Sequence, residues 1–314
     1  GDPGGRVTPP GVRTSTAPCR ETTTVARTAH ALVLAPVTPR WDEGAFFAPV
    51  IRTLTGAGLR VTVVDTLSLW DEAVDSMASF VARWRALLPR FGRVDLLCGN
   101  ALGGAVAQAL LPYVDPATAA LLVSGPARTD PLLESRLTAI ADLASTGDAE
   151  AALALLNHRV LPAGPPALDT EPVAHGASRP GSAAGTGPLA GGRGTRPPST
   201  TSGARPTTTG SGTRTATADR DAEPVTADAV AARRLAAGMR LLCGIDVSQA
   251  VLAHRGPLLQ IVGGRSQLVT RRHTAAAPHH RVHVAPEAGM RPQFEQPTEV
   301  AALVEAFLWE KGIR

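Results

Sequence analysis

From residue 30 onward the apolar positions fall in short blocks that alternate between two periods. Residues 31–35 are an unbroken apolar run closed by Pro36, the pattern of a strand buried on both faces. Residues 59–65 are a β-branched run, 94–98 are apolar but for Asp95, and 119–124 are apolar up to Ser124, so each reads as a strand. Between them, 45–55, 71–88 and 102–113 carry the helical period and stop near glycine or proline. The same alternation returns late, with strands at 258–262 and 281–285 and a closing amphipathic helix at 299–309 that places Trp309 in the core. Strand–helix–strand alternation with apolar strands predicts an α/β fold, a mostly parallel sheet with helices on both faces. Residues 1–29 are rich in Gly, Pro, Thr and Arg and read as a flexible segment with a weak edge-strand signal at 22–26.

One stretch breaks the pattern. Residues 162–224 are Gly, Ser, Thr, Pro, Ala and Arg with almost no large apolar side chain. Such a composition cannot bury enough surface to offset its ordering entropy, and it predicts a disordered low-complexity insertion. It separates two helical stretches, 132–158 and 225–242, which lie between strands where a helical lid belongs. The expected organisation is thus a core with the first lid helices at 30–161, the insertion, and the second lid part with the C-terminal core at 225–314.

Composition narrows the classes. Aromatics are 4% of 314 residues, so aliphatic side chains and alanine must build the core. The net charge is +4, yet Lys311 is the only lysine and every other basic residue is arginine. That bias belongs to a GC-rich coding sequence, with which a tailoring step in secondary metabolism is associated. No arginine–aromatic interleaving or nucleic-acid motif accompanies it, so no nucleic-acid partner is expected. Cys19, Cys98 and Cys243 have neither the number nor the spacing of a disulfide framework or zinc site. No run approaches the ~18 apolar residues of a membrane span, and no apolar leader is visible, so the expectation is a cytoplasmic protein without a membrane partner. His279, His280 and His283 cluster in sequence, but His280 and His283 fall on opposite faces of a strand and no carboxylate is paired with them; no metal and no cofactor are expected.

The chemistry-bearing pattern is Gly99-Asn100-Ala101-Leu102-Gly103 between a strand and a helix. It has the shape of the nucleophile elbow G-x-S-x-G with alanine in the serine position. Two later stretches match in order. Gly263-Gly264-Arg265-Ser266 follows a late strand, and Gly289-Met290-Arg291-Pro292-Gln293-Phe294-Glu295-Gln296-Pro297 follows the last one. Together the three resemble the α/β-hydrolase superfamily. There the second stretch commonly carries the acid and the third reads G-H-x-P-x-x-E-x-P. The resemblance covers about residues 30–160 and 225–312. It implies that Ala101, Ser266 and Met290 stand where the family has serine, acid and histidine. None can do that work: alanine has no nucleophilic oxygen, serine cannot orient an imidazole as a carboxylate does, and methionine cannot move a proton. Loss of any triad member leaves only about 10³–10⁴-fold residual catalysis from binding and the oxyanion hole. Val37 and Leu102 would supply the oxyanion amides, although Ala35-Pro36 replaces the family's usual His-Gly.

The first expectation is therefore an α/β-hydrolase-like protein that binds or processes a small, partly apolar molecule without a serine acyl-enzyme. Arg265 and Arg291 each neighbour a substituted triad position. Inside the pocket they would make it an anion site; otherwise they point to solvent or pair with Glu287 or Glu295. Trp41 and Trp70 would floor the pocket or simply pack. Asp130 is the surviving acid candidate, or else an N-cap of the helix that Pro131 opens. Asp65 closes its strand near the expected site. His273 and His254 read as exposed and loop residues. The alternatives are an active hydrolase or acyltransferase with displaced residues (Ser124 or Cys98 with Asp130 and His158), and a non-catalytic scaffold that uses the basic insertion. The oligomeric state is open.

Overall fold

The computed structural model describes residues 11–17, 27–164 and 226–313. Apolar alternation produces the strands: in β2 (His30–Leu34), Ala31 and Val33 enter one core cluster while Leu32 and Leu34 enter the other. The remaining strands are β1 (Thr14–Ala17), β3 (Arg60–Val64), β4 (Leu96–Asn100), β5 (Ala119–Val123), β6 (Leu258–Gly263) and β7 (Arg281–Ala285). They form one seven-stranded sheet in the order β1-β3-β2-β4-β5-β6-β7. Only β1 runs antiparallel, pairing with β3 from Thr14 opposite Val64 to Ala17 opposite Val61. This is the edge strand; the stretch expected to supply one, 22–26, and all but the first three residues of the expected insertion lie outside the described residues.

Helices cover both faces. α1 (Ala48–Gly56) and α9 (Pro297–Glu310) pack on one cluster with Phe47 and Phe307. On the other lie α2 (Met77–Leu87), α3 (Leu102–Leu110), α4 (Pro131–Ser145), α6 (Ala227–Leu242) and α7 (Ser248–Ala253), around Phe80 and Trp84. α5 (Ala149–Val160) packs beside α4 and α6, and the one-turn α8 (Pro292–Glu295) packs on α9. Asp130, Asp148 and Thr226 cap α4, α5 and α6 by accepting the amides of Leu133, Ala151 and Ala229.

Four expectations shift. The helix expected over 71–88 starts at Met77, because Ser76 and Ser79 close a reciprocal capping box that fixes its first turn. The stretch 132–158 is two helices, parted at Gly147 in the left-handed region (φ 87°). α7 has no counterpart in the sequence reading. Trp309 is 68% exposed, because the buried stripe of α9 runs through Val300, Val304, Phe307 and Leu308 and leaves it on the outer side.

Sequential strands add on one side of β2 as far as β3, and then β4 pairs on its other side. The order therefore reverses between β2 and β4. In open parallel sheets a ligand crevice opens at such a point, outside the carboxyl ends of the strands. The loop after β2 and the turn after β4 meet there.

Candidate functional site

The turn after β4 is strained around a side chain with no reactive atom. Ala101 has φ 47° and ψ −113°, a region non-glycine residues seldom occupy, at a cost of about 1–3 kcal/mol. Its flanks admit only glycine. A Cβ on Gly99 would lie 2.4 Å from the Gly103 oxygen, and one on Gly103 would lie 2.1 Å from the Leu34 oxygen. The Ala101 amide donates to the Val123 carbonyl (3.1 Å), so the neighbouring strand holds the turn. Leu102 opens α3 and Val37 follows the β2 loop; both border the cavity above Ala101, and no backbone carbonyl among the described residues takes either amide. Free amides beside a strained elbow are groups from which an oxyanion hole can be built.

The other two landmark stretches pack together. Arg265 N–H donates to the Ala288 carbonyl (2.9 Å), and Val269 N–H points at the Met290 sulfur (3.4 Å). Met290 thus leans on the turn that carries Ser266 and also borders the cavity with Ala101. Ser266 accepts the Leu268 amide at 3.3 Å and does not border the cavity. Glu295 accepts the Gly289 amide (2.7 Å), which holds the backbone before Met290.

The cavity has a volume of about 430 Å³, within the ~300–1,000 Å³ range of small-molecule sites. Its lid wall is aliphatic: Leu133 and Leu137 from α4, Leu153 and Leu156 from α5, Met239 and Leu242 from α6. Asn157 on α5 is a polar lining residue of the lid, and other polar groups, Thr38, Asp42, Asn100, Arg291 and Gln293, border the rest of the cavity. Asp42 is engaged, accepting the amides of Gly44 (3.0 Å) and Phe46 (2.9 Å).

The lid is fastened by an ion pair. Asp65, fully buried after β3, accepts both arms of the Arg234 guanidinium from α6 at 2.8 and 3.0 Å. The same guanidinium donates to the Thr38 carbonyl (2.9 Å). One turn along, Gly238 meets Val37 so closely that a Cβ there would lie 2.4 Å from a Val37 methyl carbon. The sequence signal for this clamp was available: Arg234 interrupts the buried stripe formed by Ala231, Ala232, Leu235 and Ala236.

Several expected residues stand elsewhere. Arg265 turns away from the cavity to pair with Glu287 (2.9 Å) and with the Ala163 carbonyl (2.8 Å). Trp41 packs against the cluster beneath the opposite face of the sheet, because the loop after β2 folds back toward Phe46 and Phe47. Trp70 borders a separate open groove, stacked under Arg233. Asp130 is an N-cap, accepting the Leu133 amide at 2.8 Å. That amide, helped by His273 and Arg272, holds its carboxyl below the usual range against the opposing effect of burial. His273 is buried, not exposed; its Nδ1 faces the Thr270 amide (3.0 Å) and its Nε2 lies 3.1 Å from Asp130. His254 is buried too, with Nε2 on the Thr118 carbonyl.

The displaced set does not assemble. Cys98 is fully buried in β4, and burial pushes its thiol far up. Ser124 is fully buried and does not border the cavity, and His158 is exposed on α5. Among the described residues no histidine, cysteine and carboxylate group has the arrangement of a metal site, and no helix is long and apolar enough to cross a membrane.

No protein-family model matches the sequence, and no curated protein matches it. Solved structures do match in shape. MGS-M2, an α/β hydrolase enzyme from a Medee basin deep-sea metagenome library, aligns at a TM-score of 0.61 and 12% identity, over 95% of this chain and 94% of that one. The enol-lactonase of Burkholderia xenovorans LB400 aligns at 0.59 and 15%, over 95% and 96%. A bromoperoxidase of Bacillus anthracis aligns at 0.60 and 12%, over 95% of both chains. With the sheet order, the reversal at β2 and β4 and the strained elbow, these likenesses establish that the chain has the α/β-hydrolase fold.

Proposed function

We propose that this protein is a non-hydrolytic member of the fold that binds a small, partly apolar molecule in the cavity above Ala101 and forms no serine acyl-enzyme. One observation carries the reading. The elbow keeps its strained backbone and its close glycine approach, yet the side chain it presents is a methyl group. Met290, which borders the same cavity, holds a thioether that is buried against the Val269 amide. A site of this build keeps a cavity and an apolar wall, with the Val37 and Leu102 amides available at its edge. Such groups bind a carbonyl-bearing ligand and polarise it, but supply neither nucleophile nor base.

The test compares the natural chain with the Ala101→Ser, Ser266→Asp, Met290→His triple variant on p-nitrophenyl and thioester acyl substrates. The expected result is no turnover above a protein-free control for the natural chain and measurable acyl release by the variant. Turnover by the unmodified chain, abolished by blocking the cavity with Leu156→Trp, would overturn the reading.

A further inference from the structure

The charges at the two ends of α5 orient a ligand in the cavity, on the basis of the function proposed above. The side chains inside offer a ligand little polar help. Asp42 accepts two backbone amides, Asn100 donates to the Val123 carbonyl, and Gln293, 1% exposed, is tied to the Phe46 carbonyl. The lid wall facing them is aliphatic, and a saturated chain gains by leaving water for such a space.

α5 runs along this wall. Leu153, Leu156, Asn157 and Val160 border the cavity, about 10 Å of helix from first to last. Its C-terminal end is joined to the loop that carries Arg291, where the Met290 amide donates to the Val160 carbonyl at 3.0 Å. Arg291 borders the cavity and is exposed. Glu295 stands at the i,i+4 spacing of an ion pair with it, but is turned to the Gly289 amide (2.7 Å). Glu287 is held by Arg265. The Arg291 guanidinium therefore has no partner among the described residues, which leaves a cation at this end of the cavity.

The other end of α5 has the opposite charge. Its first turn borders a neighbouring groove that shares Thr38, Pro39, Asp42 and Leu153 with the cavity. Asp148, Glu150 and Asp228 line that groove, and Arg40, its one cation among the described residues, is paired with Asp228 at 3.6 Å. A carboxylate placed there would meet like charge and no free cation.

We infer that the cavity takes an aliphatic monocarboxylate lengthwise along α5, with the carboxylate at Arg291 and the methyl end toward Leu153. Arg291 selects for an anion at one end, and the acidic groove selects against a second anion at the other. An exposed ion pair corresponds to about three-fold in affinity.

The experiment is calorimetric titration of the full chain with octanoate, octan-1-ol, octanedioate and 8-aminooctanoate. Expected is about three-fold tighter binding of octanoate than of octan-1-ol. 8-Aminooctanoate, which sets an ammonium at the acidic groove, should bind at least about three-fold tighter than octanedioate. Arg291→Gln should remove the preference for octanoate, and Arg265→Ala should keep it. Glu150→Lys, Asp228→Lys should remove the preference for 8-aminooctanoate. The comparisons on the unmodified chain decide should a variant not fold. Octanoate binding no tighter than octan-1-ol, or a preference that survives Arg291→Gln, overturns the inference, as does octanedioate binding as tightly as 8-aminooctanoate. If octan-1-ol still binds then, and Leu156→Trp blocks it, the function proposed above stands without this ligand class. If no probe binds, both fall.

Discussion

Removing the Arg234 side chain tests how the lid is held. Asp65 has no solvent exposure and the Arg234 side chain is 12% exposed, so neither charge is hydrated to any extent once the other is gone. The contact is bidentate at 2.8 and 3.0 Å, and the remaining edge of the guanidinium is used on Thr38. Breaking a buried pair from one side leaves an uncompensated charge and destabilises by about 3–5 kcal/mol, whereas replacing both members with apolar groups is close to neutral. Arg234→Met should therefore lower unfolding stability by about 3–5 kcal/mol. Asp65→Leu, Arg234→Met should recover most of that loss, giving a coupling energy of the same size in a double-mutant cycle. Total stabilities of domains lie near ~5–15 kcal/mol, so the single variant should remain measurable by urea denaturation monitored through Trp84, which is fully buried beneath this region. The cycle is read from midpoints at constant slope. Because Arg234 joins α6 to the loops after β2 and β3, Arg234→Met should also raise amide exchange in α6 more than in α3. A single-variant loss below about 1 kcal/mol, or a double variant no more stable than the single, would refute a desolvated clamp.

Other expectations are independent of the lid. Gly103→Ala places a Cβ 2.1 Å from the Leu34 oxygen, a backbone atom that cannot swing away, so it should destabilise by more than about 3 kcal/mol in denaturant melts or prevent folding. His30 is buried between the Arg93 carbonyl and the Thr62 hydroxyl; burial first, then the charge of Arg60, lowers its pKa to about 4. The unfolded chain therefore binds this proton near pH 6.5 and the folded chain only near 4. The stability that the neutral ring allows is complete above about pH 6.5 and is lost as pH falls through 4, by about 2–3 kcal/mol at pH 4.5. His30→Gln should flatten the pH 7 to 4.5 stability profile by that amount, and an unchanged slope would count against it. Arg265→Ala should leave ligand titrations unchanged and shift stability by no more than about 0.5 kcal/mol, since its partner Glu287 is exposed.

How far the sequence reaches depends on the range over which each interaction acts. The strands, the elbow and the order of the three landmark stretches are local patterns, and each was legible. Gly99 and Gly103 announced a backbone approach that the structure places at 2.4 and 2.1 Å for an added Cβ. The two arginines beside Ser266 and Met290 looked alike in sequence and differ in space. Arg265 is drawn off by Glu287, 22 residues away, while Arg291 is left facing the cavity. No local pattern holds that distinction, because it depends on where β7 sets down its loop. His273 reads as a surface histidine, yet Ala127 and Arg128 both donate to its carbonyl and draw it inside beside Asp130.

The longest-range contacts were the least legible, and they define the site. Asp65 and Arg234 are 169 residues apart, and Gln293 and Phe46 are 247 apart. The first pair fastens the lid; the second ties a buried carboxamide to the loop after β2. Both could be suspected only from a misfit, an arginine on an apolar stripe and an amide in a buried turn. Where the elbow holds only the methyl group of Ala101, such misfits say more about how the cavity is built than the elbow itself does.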